Sequence, residues 1–412
     1  MINVSDRGLC CGCGACADVC PRGAVKMERD ALGFEYPSVD ESLCVECGLC
    51  EKVCGFRKAV EMSEGCAGAE NGGSLKGSGA STSAVELHRP LQVVAARHRD
   101  MGEVMRSRSG AAFPALTDAV LSRGGTVFGA ALSEDCRRVE HRAAASAAAR
   151  DAFRGSKYIQ SRTREAFLQL RKELGSGREV VFSGTPCQCN ALRSFIPAPL
   201  QEKLTLVDFV CHGVGSPAFW DRYLDHISRG RKIVKADFRD KGRFGWKDHR
   251  ESFTFEDGSV RISRSFTDIY YKHLIMRPSC ARCPFNTVER CGDITLADFW
   301  GWEKTDPALN ADDRGYSLIL VGTEKGRKLL EDASESLNIR PVDLSTCLQR
   351  PLRERLVPGA SSGAFEQAFI GGTPMGKLLR RYGDRNLRTA GRRLWLYLRK
   401  RLRKILKKDN AG

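Results

Sequence analysis

The 412-residue sequence predicts an α+β protein in three parts: a small cysteine-rich head, a larger mixed α/β body and a basic helical tail. Three observations predict it. Two four-cysteine runs of identical spacing fill the first 54 residues. Strand-like and helix-like segments then intermix from Leu91 to Val321. Finally, residues 376–412 hold 14 Lys and Arg against two acids, Asp384 and Asp409.

In the head, Cys10, Cys13, Cys16 and Cys20 stand at C-x2-C-x2-C-x3-C spacing and Pro21 follows. Cys44, Cys47, Cys50 and Cys54 repeat the spacing, with Gly55 in place of the proline. Thiolates are the soft ligands that iron–sulfur clusters need, and two such runs suit a pair of [4Fe–4S] clusters. The first three cysteines of a run hold one cluster and the fourth reaches the other. This predicts one cluster on Cys10, Cys13, Cys16 and Cys54, and a second on Cys44, Cys47, Cys50 and Cys20. A zinc double knuckle pairs two C-x2-C units and has no use for the third cysteine or the x3 step. Cys11 fits neither spacing and is expected to be a bystander. Between the runs, Ala24 to Asp40 reads as a hairpin with Gly33 near its turn. Residues 1–60 are therefore expected to form a dicluster ferredoxin-like domain, matching the compact pseudo-symmetric design of bacterial dicluster ferredoxins. Residues 61–84, rich in Gly, Ser and Ala, predict a flexible linker in which Cys66 is an exposed free thiol.

Composition narrows the setting. There is no run of 18 apolar residues and no apolar leader ahead of the first cysteines. Eighteen cysteines, many in ligand spacing, point to a reducing cytoplasm rather than a disulfide scaffold. The net charge of +16 lies mostly in residues 376–412, which carry +12. There Leu387, Ala390, Leu394, Leu398, Leu402 and Ile405 recur at helical spacing beside Trp395 and Tyr397, with Arg and Lys on the other face. Such a basic amphipathic helix predicts peripheral contact with the inner face of a membrane. The rival readings are a helix packed on the protein's own body and a partner-docking helix. No recognition motif accompanies the charge, so nucleic acid is not an expected partner.

The body, placed at residues 85–345 ahead of a C-terminal extension over 346–412, is taken in order. Leu91–Ala96 predicts a strand, and Ser107–Gly110 precedes a capped helix over Ala111–Leu121. Gly124-Gly125 turns the chain into a strand at Thr126–Leu132, and a mixed helical region rich in Ala and Arg follows to about residue 153. Ser156–Ser161 reads as a short strand or loop and Arg164–Leu174 as a helix. Glu179–Phe182 and Leu204–Cys211 predict buried strands. Ser252–Phe255 and Val260–Ser263 flank the hairpin turn Asp257-Gly258, and Ile294–Ala297 and Leu318–Val321 complete the strands.

The body carries its own cysteines. Cys187 and Cys211 follow neighbouring strands, the edge where α/β proteins assemble sites, and Cys280 and Cys283 stand in C-x2-C-P. Cys187, Cys211, Cys280 and Cys283 are candidate ligands of a third [4Fe–4S] cluster; the alternative is a zinc-binding or unliganded pair beside core cysteines. Cys291 is a rival ligand, while Cys136 and Cys347 are expected to be buried small hydrophobes. The stretches SRSGAAF (107–113), GSKYIQS (155–161), FSGTPCQ (182–188), VDFVCHGVGSP (207–217), FRDKGRFGWK (238–247), RPSCARCPF (277–285) and DITLADFWG (293–301) resemble the coenzyme F420 hydrogenase/dehydrogenase beta-subunit family. SRSGAA stands where that family tends to have a Ser-Ser-Gly-Gly run. The resemblance implies a flavin-bearing iron–sulfur reductase module and supports the third cluster.

No G-x-G-x-x-G follows a strand, so a Rossmann dinucleotide site is not indicated. Ser183–Gln188 and Ser107–Gly110 each lead into a helix, whose N-terminus favours an anion, and Lys157 adds a charge. Taken singly, each loop also reads as an ordinary capped turn. With the resemblance, Ser109, Gly110, Lys157, Gly184, Thr185 and Gln188 become candidate FAD-binding residues. Lys157 and His212 are candidate proton donors, a structural histidine being the alternative for the latter. The sequence thus predicts a cytoplasmic iron–sulfur oxidoreductase. It would pass electrons from a redox partner protein, a ferredoxin or an enzyme subunit, to FAD and an organic acceptor. That acceptor is F420 or an unidentified substrate, one possibility being a polysaccharide-pathway compound. The alternative is a non-catalytic protein delivering electrons to a partner enzyme.

Overall fold

The structure, a computed structural model, describes residues 1–65 and 85–383. In the head, β1 (Val25–Arg29) and β2 (Glu35–Val39) pair antiparallel, with Val25 opposite Val39 and Arg29 opposite Glu35. The expected hairpin turns at Gly33, whose φ is +80°. A side chain there would also collide with the body, since a Cβ would meet the Ala218 nitrogen at 2.8 Å. Two short helices flank the hairpin, Ala15–Asp18 and Leu49–Lys52, each starting at a left-handed glycine, Gly14 or Gly48. The helix Gly55–Gly65 runs past the expected end of the head, so residues 61–65 are helical rather than linker. Phe56, Ala59 and Val60 on one face are buried, and Arg57 pairs with Glu61 one turn on at 3.0 Å, which carries the helix forward. The rest of the expected linker, with Cys66, lies outside the described residues.

The body opens with β3 (Gln92–His98), β4 (Thr126–Leu132), β5 (Val139–Ala144), β6 (Ser161–Arg162), β7 (Val180–Gly184) and β8 (Leu204–Phe209). A separate three-stranded sheet holds β9 (Ile233–Asp237), β10 (Glu251–Phe255) and β11 (Val260–Ser263). The chain then returns to the large sheet as β12 (Ile294–Asp298), β13 (Ser317–Val321) and β14 (Leu337–Pro341). The nine strands of that sheet lie in the order β14-β3-β13-β12-β8-β7-β4-β5-β6. Its centre, β12-β8-β7-β4, is parallel throughout. The fold is thus mixed α/β, with a small ferredoxin-like region ahead of one large sheet.

One expected segment is corrected. The stretch before residue 153 holds β5, paired antiparallel with β4 from Leu132–Val139 to Val127–Ala144, and only the short helix Ala147–Arg150 with a single turn after it. Its Ala and Arg favour helix locally, but Val139 and His141 are buried at alternate positions of β5. Pairing with β4 overrides the weak propensity.

Alternation along the strands divides two cores. Val127, Val181, Val207 and Ile294 join one cluster, whereas Phe128, Val180, Phe182 and Leu206 join the other. This second cluster is continuous with the head: Ile2, Ala15, Val53, Phe56 and Val60 pack with Phe167, Leu170, Leu192 and Phe195 of the helices Arg164–Gly175 and Pro186–Phe195. At the hairpin tip, Leu32 and Phe34 enter a third cluster with Phe219 and Trp220. Phe365, Phe369, Leu378 and Leu379 of the helices Ser362–Ile370 and Met375–Tyr382 complete it. Residues to 383 of the expected extension therefore include two helices that belong to the body's core, while the basic helix over 387–405 lies outside the described residues. Among the described residues no helix is long and apolar enough to cross a membrane.

Phe34→Ala would empty a fully buried position where head and body meet. It should cost about 3–5 kcal/mol, read as a lower urea midpoint by far-ultraviolet circular dichroism.

Candidate functional site

The cysteines of the head gather around two cavities. Cys10, Cys13, Cys16 and Cys54 border a first of about 460 Å³, and Cys20, Cys44, Cys47 and Cys50 border a second of about 390 Å³. Each short helix carries the third cysteine of its run, and the chain beyond its end swings the fourth toward the opposite cavity. The turns ahead of the helices repeat as well. Gly12 and Glu46, at matching places in the two runs, both take positive φ, +70° and +52°, which folds the chain around the thiols. The Gly12 N–H lies 3.4 Å from the Cys10 sulfur.

Cys187, Cys211, Cys280 and Cys283 border a third cavity of about 1140 Å³. Cys187 opens the helix after β7, Cys211 follows β8, and Cys280 rides on the turn Pro278–Arg282. Burial drives the Cys211, Cys280 and Cys283 thiols up, Cys280 to about 11, and the neighbouring thiols push in the same direction. Cys54 in the head rises to about 12, chiefly through burial and next through Cys13. Crowded thiols with little water need a bound cation to ionise, and iron coordination removes their protons outright. No three Cys, His, Asp or Glu among the described residues close on a point that a lone ion could fill. Four thiols spread around a cavity fit a cluster. Cys291 stands apart: its thiol donates to the Pro186 carbonyl at 3.1 Å, and it does not border this cavity. Cys136 and Cys347 are buried in apolar clusters.

Cys11 is not the bystander its spacing suggests. The left-handed turn at Gly12 buries it between the first and third cavities, with its thiol against those of Cys13 and Cys187. Hydrogen bonding to both, reinforced by burial, holds the Cys11 proton on. The same contact lowers Cys13 and pulls Cys187 down to about 7.

Beyond the third cavity lies an open cleft of about 1680 Å³ at the carboxyl ends of β7, β8 and β12, where α/β sheets place their sites. Ser109, Lys157, Gly184, Thr185, Gln188 and His212 border it; Gly110 does not. Gly110 is pressed onto the sheet, where a Cβ would meet the Ala96 carbonyl at 2.2 Å. The Ser109 hydroxyl donates to the Tyr316 carbonyl. The Gln188 side chain turns back to accept from the Thr185 N–H at 3.0 Å and to donate to the Ser161 hydroxyl at 2.9 Å, which caps its own helix. Ala111 takes φ +63°, a left-handed position where glycine would be unstrained. Lys157 donates to the Arg154 carbonyl at 2.9 Å, and burial brings its amine down to about 7. Burial likewise holds His212 near 4.

Sequence reasoning missed the cleft's far wall. Arg239 donates to Asp298 at 2.7 Å and to the Tyr158 hydroxyl at 3.2 Å, while Tyr271, His249 and Trp300 supply flat faces. Arg108 and Arg239 share that one carboxylate, and Arg108 Nε and Nη1 and Arg239 Nε are buried without a hydrogen-bond partner among the described residues. Spare donors beside aromatic faces fit a planar cofactor carrying phosphates. The signal was present: Arg239 and Trp300 lie within the stretches 238–247 and 293–301 that carry the family resemblance.

Thiol grouping and fold together define an iron–sulfur protein with a ferredoxin-type head. Residues 9–57 match the family described as 4Fe-4S dicluster domain, and residues 177–345 match the C terminus of the coenzyme F420 hydrogenase/dehydrogenase beta-subunit family. The chain therefore carries a 4Fe-4S dicluster domain followed by the C-terminal region of that family. No curated protein matches it. Among solved structures, it is similar to a chain from the xenon-derivatised F420-reducing [NiFe] hydrogenase complex of Methanosarcina barkeri. Identity there is 16% and the TM-score 0.46, over 70% of this chain and 95% of that one.

Lys157 generates a pH prediction. Its folded pKa lies near 7 and its unfolded one near the ordinary 10.5, so between these values the unfolded chain binds the extra proton. Stability should therefore rise from pH 7 to 9 through this group, and Lys157→Met should flatten that slope in urea titrations at the two pH values.

Proposed function

We propose that the chain is an iron–sulfur flavoprotein oxidoreductase whose head takes single electrons from a redox partner protein and whose body delivers them to an organic acceptor. One observation carries this reading: the cavity of Cys10, the third cavity and the cleft adjoin, each sharing wall residues with the next. Cys11 and Phe56 border both the first and third cavities, and Thr185, Cys211, His212, Gly213 and Tyr271 border both the third cavity and the cleft. In this reading Cys10, Cys13, Cys16 and Cys54 hold one [4Fe–4S] cluster, Cys20, Cys44, Cys47 and Cys50 a second, and Cys187, Cys211, Cys280 and Cys283 a third. Ser109, Lys157, Gly184, Thr185 and Gln188 would line the FAD site, with Gly110 packed behind that wall. When bound, these groups supply one-electron transfer at the clusters and its conversion to two-electron chemistry at the flavin.

The protein's own residues do the rest. Around the second cavity Cys47 is exposed, and Leu43, Val45 and Leu49 present apolar side chains to solvent. That face suits docking of a donor, a ferredoxin or an enzyme subunit. Cys11, buried where head and body meet, holds its single S–H against two proposed ligand thiols, Cys13 and Cys187. Lys157, near 7, can give or take a proton at neutral pH; His212, neutral there, suits accepting one. The acceptor is F420 or another organic molecule whose flat ring rests on Trp300 and Tyr271. Such thiol-rich sites suit the cytoplasm.

Anaerobically purified chain should carry about 12 Fe and one FAD. Cys280→Ser with Cys283→Ser should bring iron to about 8; unchanged iron would remove the third site. A chain with full iron and no flavin would instead be a non-catalytic electron-transfer subunit.

A further inference from the structure

Arg277 is a buried cation with no acidic partner among the described residues. It stands three residues before Cys280, is 1% exposed, and belongs to the body, yet its guanidinium reaches into the head. Nε donates to the Cys10 carbonyl at 2.8 Å, Nη1 to Gln160 Oε1 at 2.7 Å and Nη2 to the Glu35 carbonyl at 2.8 Å. All three acceptors are neutral. The Glu35 carboxylate is engaged elsewhere, with Arg162 at 3.1 Å and Arg29 at 3.4 Å. The guanidinium plane lies over Tyr36, 4.3 Å from the ring centroid, and over Phe34 at 5.3 Å.

A guanidinium keeps its proton at any ordinary pH, so this charge cannot be shed. Sealing an unpaired charge from water is costly, and native proteins answer it with a counter-charge. The remaining neighbour that can supply one is sulfur: Nη2 lies 3.6 Å from Cys10 Sγ, and Arg277 also borders the cavity of Cys187, Cys211, Cys280 and Cys283. The head is built to admit the contact. At Gly12 a Cβ would meet Arg277 Nη1 at 2.7 Å and Gln160 Nε2 at 2.6 Å.

We propose that Arg277 is the counter-charge at the junction of head and body, where it stabilises the reduced state of the cluster held by Cys10 and so raises that cluster's reduction potential. The proposal rests on the cluster reading above. Reduction adds one electron and no proton, so the cluster gains one full negative charge beside a fixed positive one. Arg277 is thus a positioning residue that favours arrival of the electron at the junction with the body, and an external low-potential donor supplies that electron.

The test is a dithionite redox titration of the purified holoprotein followed by electron paramagnetic resonance. Arg277→Gln should lower the potential of one head cluster by about 59 mV, a tenfold change in its reduced-to-oxidised ratio for a one-electron couple. Arg277→Lys should restore most of that shift. Gln160→Glu keeps Arg277 but sets a carboxylate against it, and should lower the same potential with iron content unchanged. Equal shifts in the Gln and Lys variants would mean a packing role and overturn the proposal. So would an unmoved potential in Gln160→Glu, which remains decisive if Arg277→Gln fails to fold. A wild-type chain without iron would overturn the cluster reading itself, whereas iron-loaded chains with unshifted potentials overturn this proposal alone.

Discussion

The seam between head and body is the constraint on which the rest depends. The carbonyls of Cys10, Cys11 and Cys13 accept from Arg277, Gln160 and Thr163 at 2.7–2.8 Å, so the loop that aims the thiols is gripped at successive turns by the body. Buried carbonyls must be paired, and here the partners come from separate stretches of the body. An apolar cluster runs through the same seam from Ile2 and Phe56 to Phe167 and Leu192. A head held this way is fixed to the body at the loop that carries its first thiols. A head tethered only by residues 66–84 would need no such grip.

The second constraint is the parallel centre of the large sheet. Parallel strands end at one edge, and the loops after β7, β8 and β12 therefore deliver Thr185 and Cys187, Cys211 and His212, and Trp300 to a common place. That is how one wall serves both the third cavity and the cleft. Asp298, at the end of β12, holds Arg239 and accepts from Trp246 Nε1 at 3.2 Å, which fixes the aromatic side of the cleft. The helix N-terminus after β7 is largely self-satisfied through Gln188, so the spare donors of the cleft come from arginine rather than from backbone.

Charge at the seam follows one logic. Thiols deprived of water resist ionisation unless something positive or a hydrogen-bond donor is near. Cys11 sets its single S–H against Cys13 and Cys187, and Arg277 supplies fixed positive charge beside Cys10. At the outer end, backbone N–H groups of Arg22 to Val25 outweigh the slight burial of Cys20 and lower its pKa. Each donor stands where a thiolate would otherwise be unsupported.

Ligand spacing is a local property, written in a few consecutive residues and turned by Gly12, Gly14 and Gly48. The grouping of the eight head cysteines was therefore legible in the sequence, as were the hairpin and most strands of the body. The grouping of Cys187 and Cys211 with Cys280 and Cys283 was partly so, because C-x2-C is local but the companionship of two strand ends is not. Tertiary structure alone decided the remainder. Pairing with β4 made a strand of an Ala- and Arg-rich stretch, and packing on the sheet turned Gly110 away from the cleft. Cys11 and Arg277 are far apart in sequence, and neither fits a spacing rule. Their roles arise from burial at a seam that exists only once head and body have closed on each other, where losing water makes a single proton or a single charge matter.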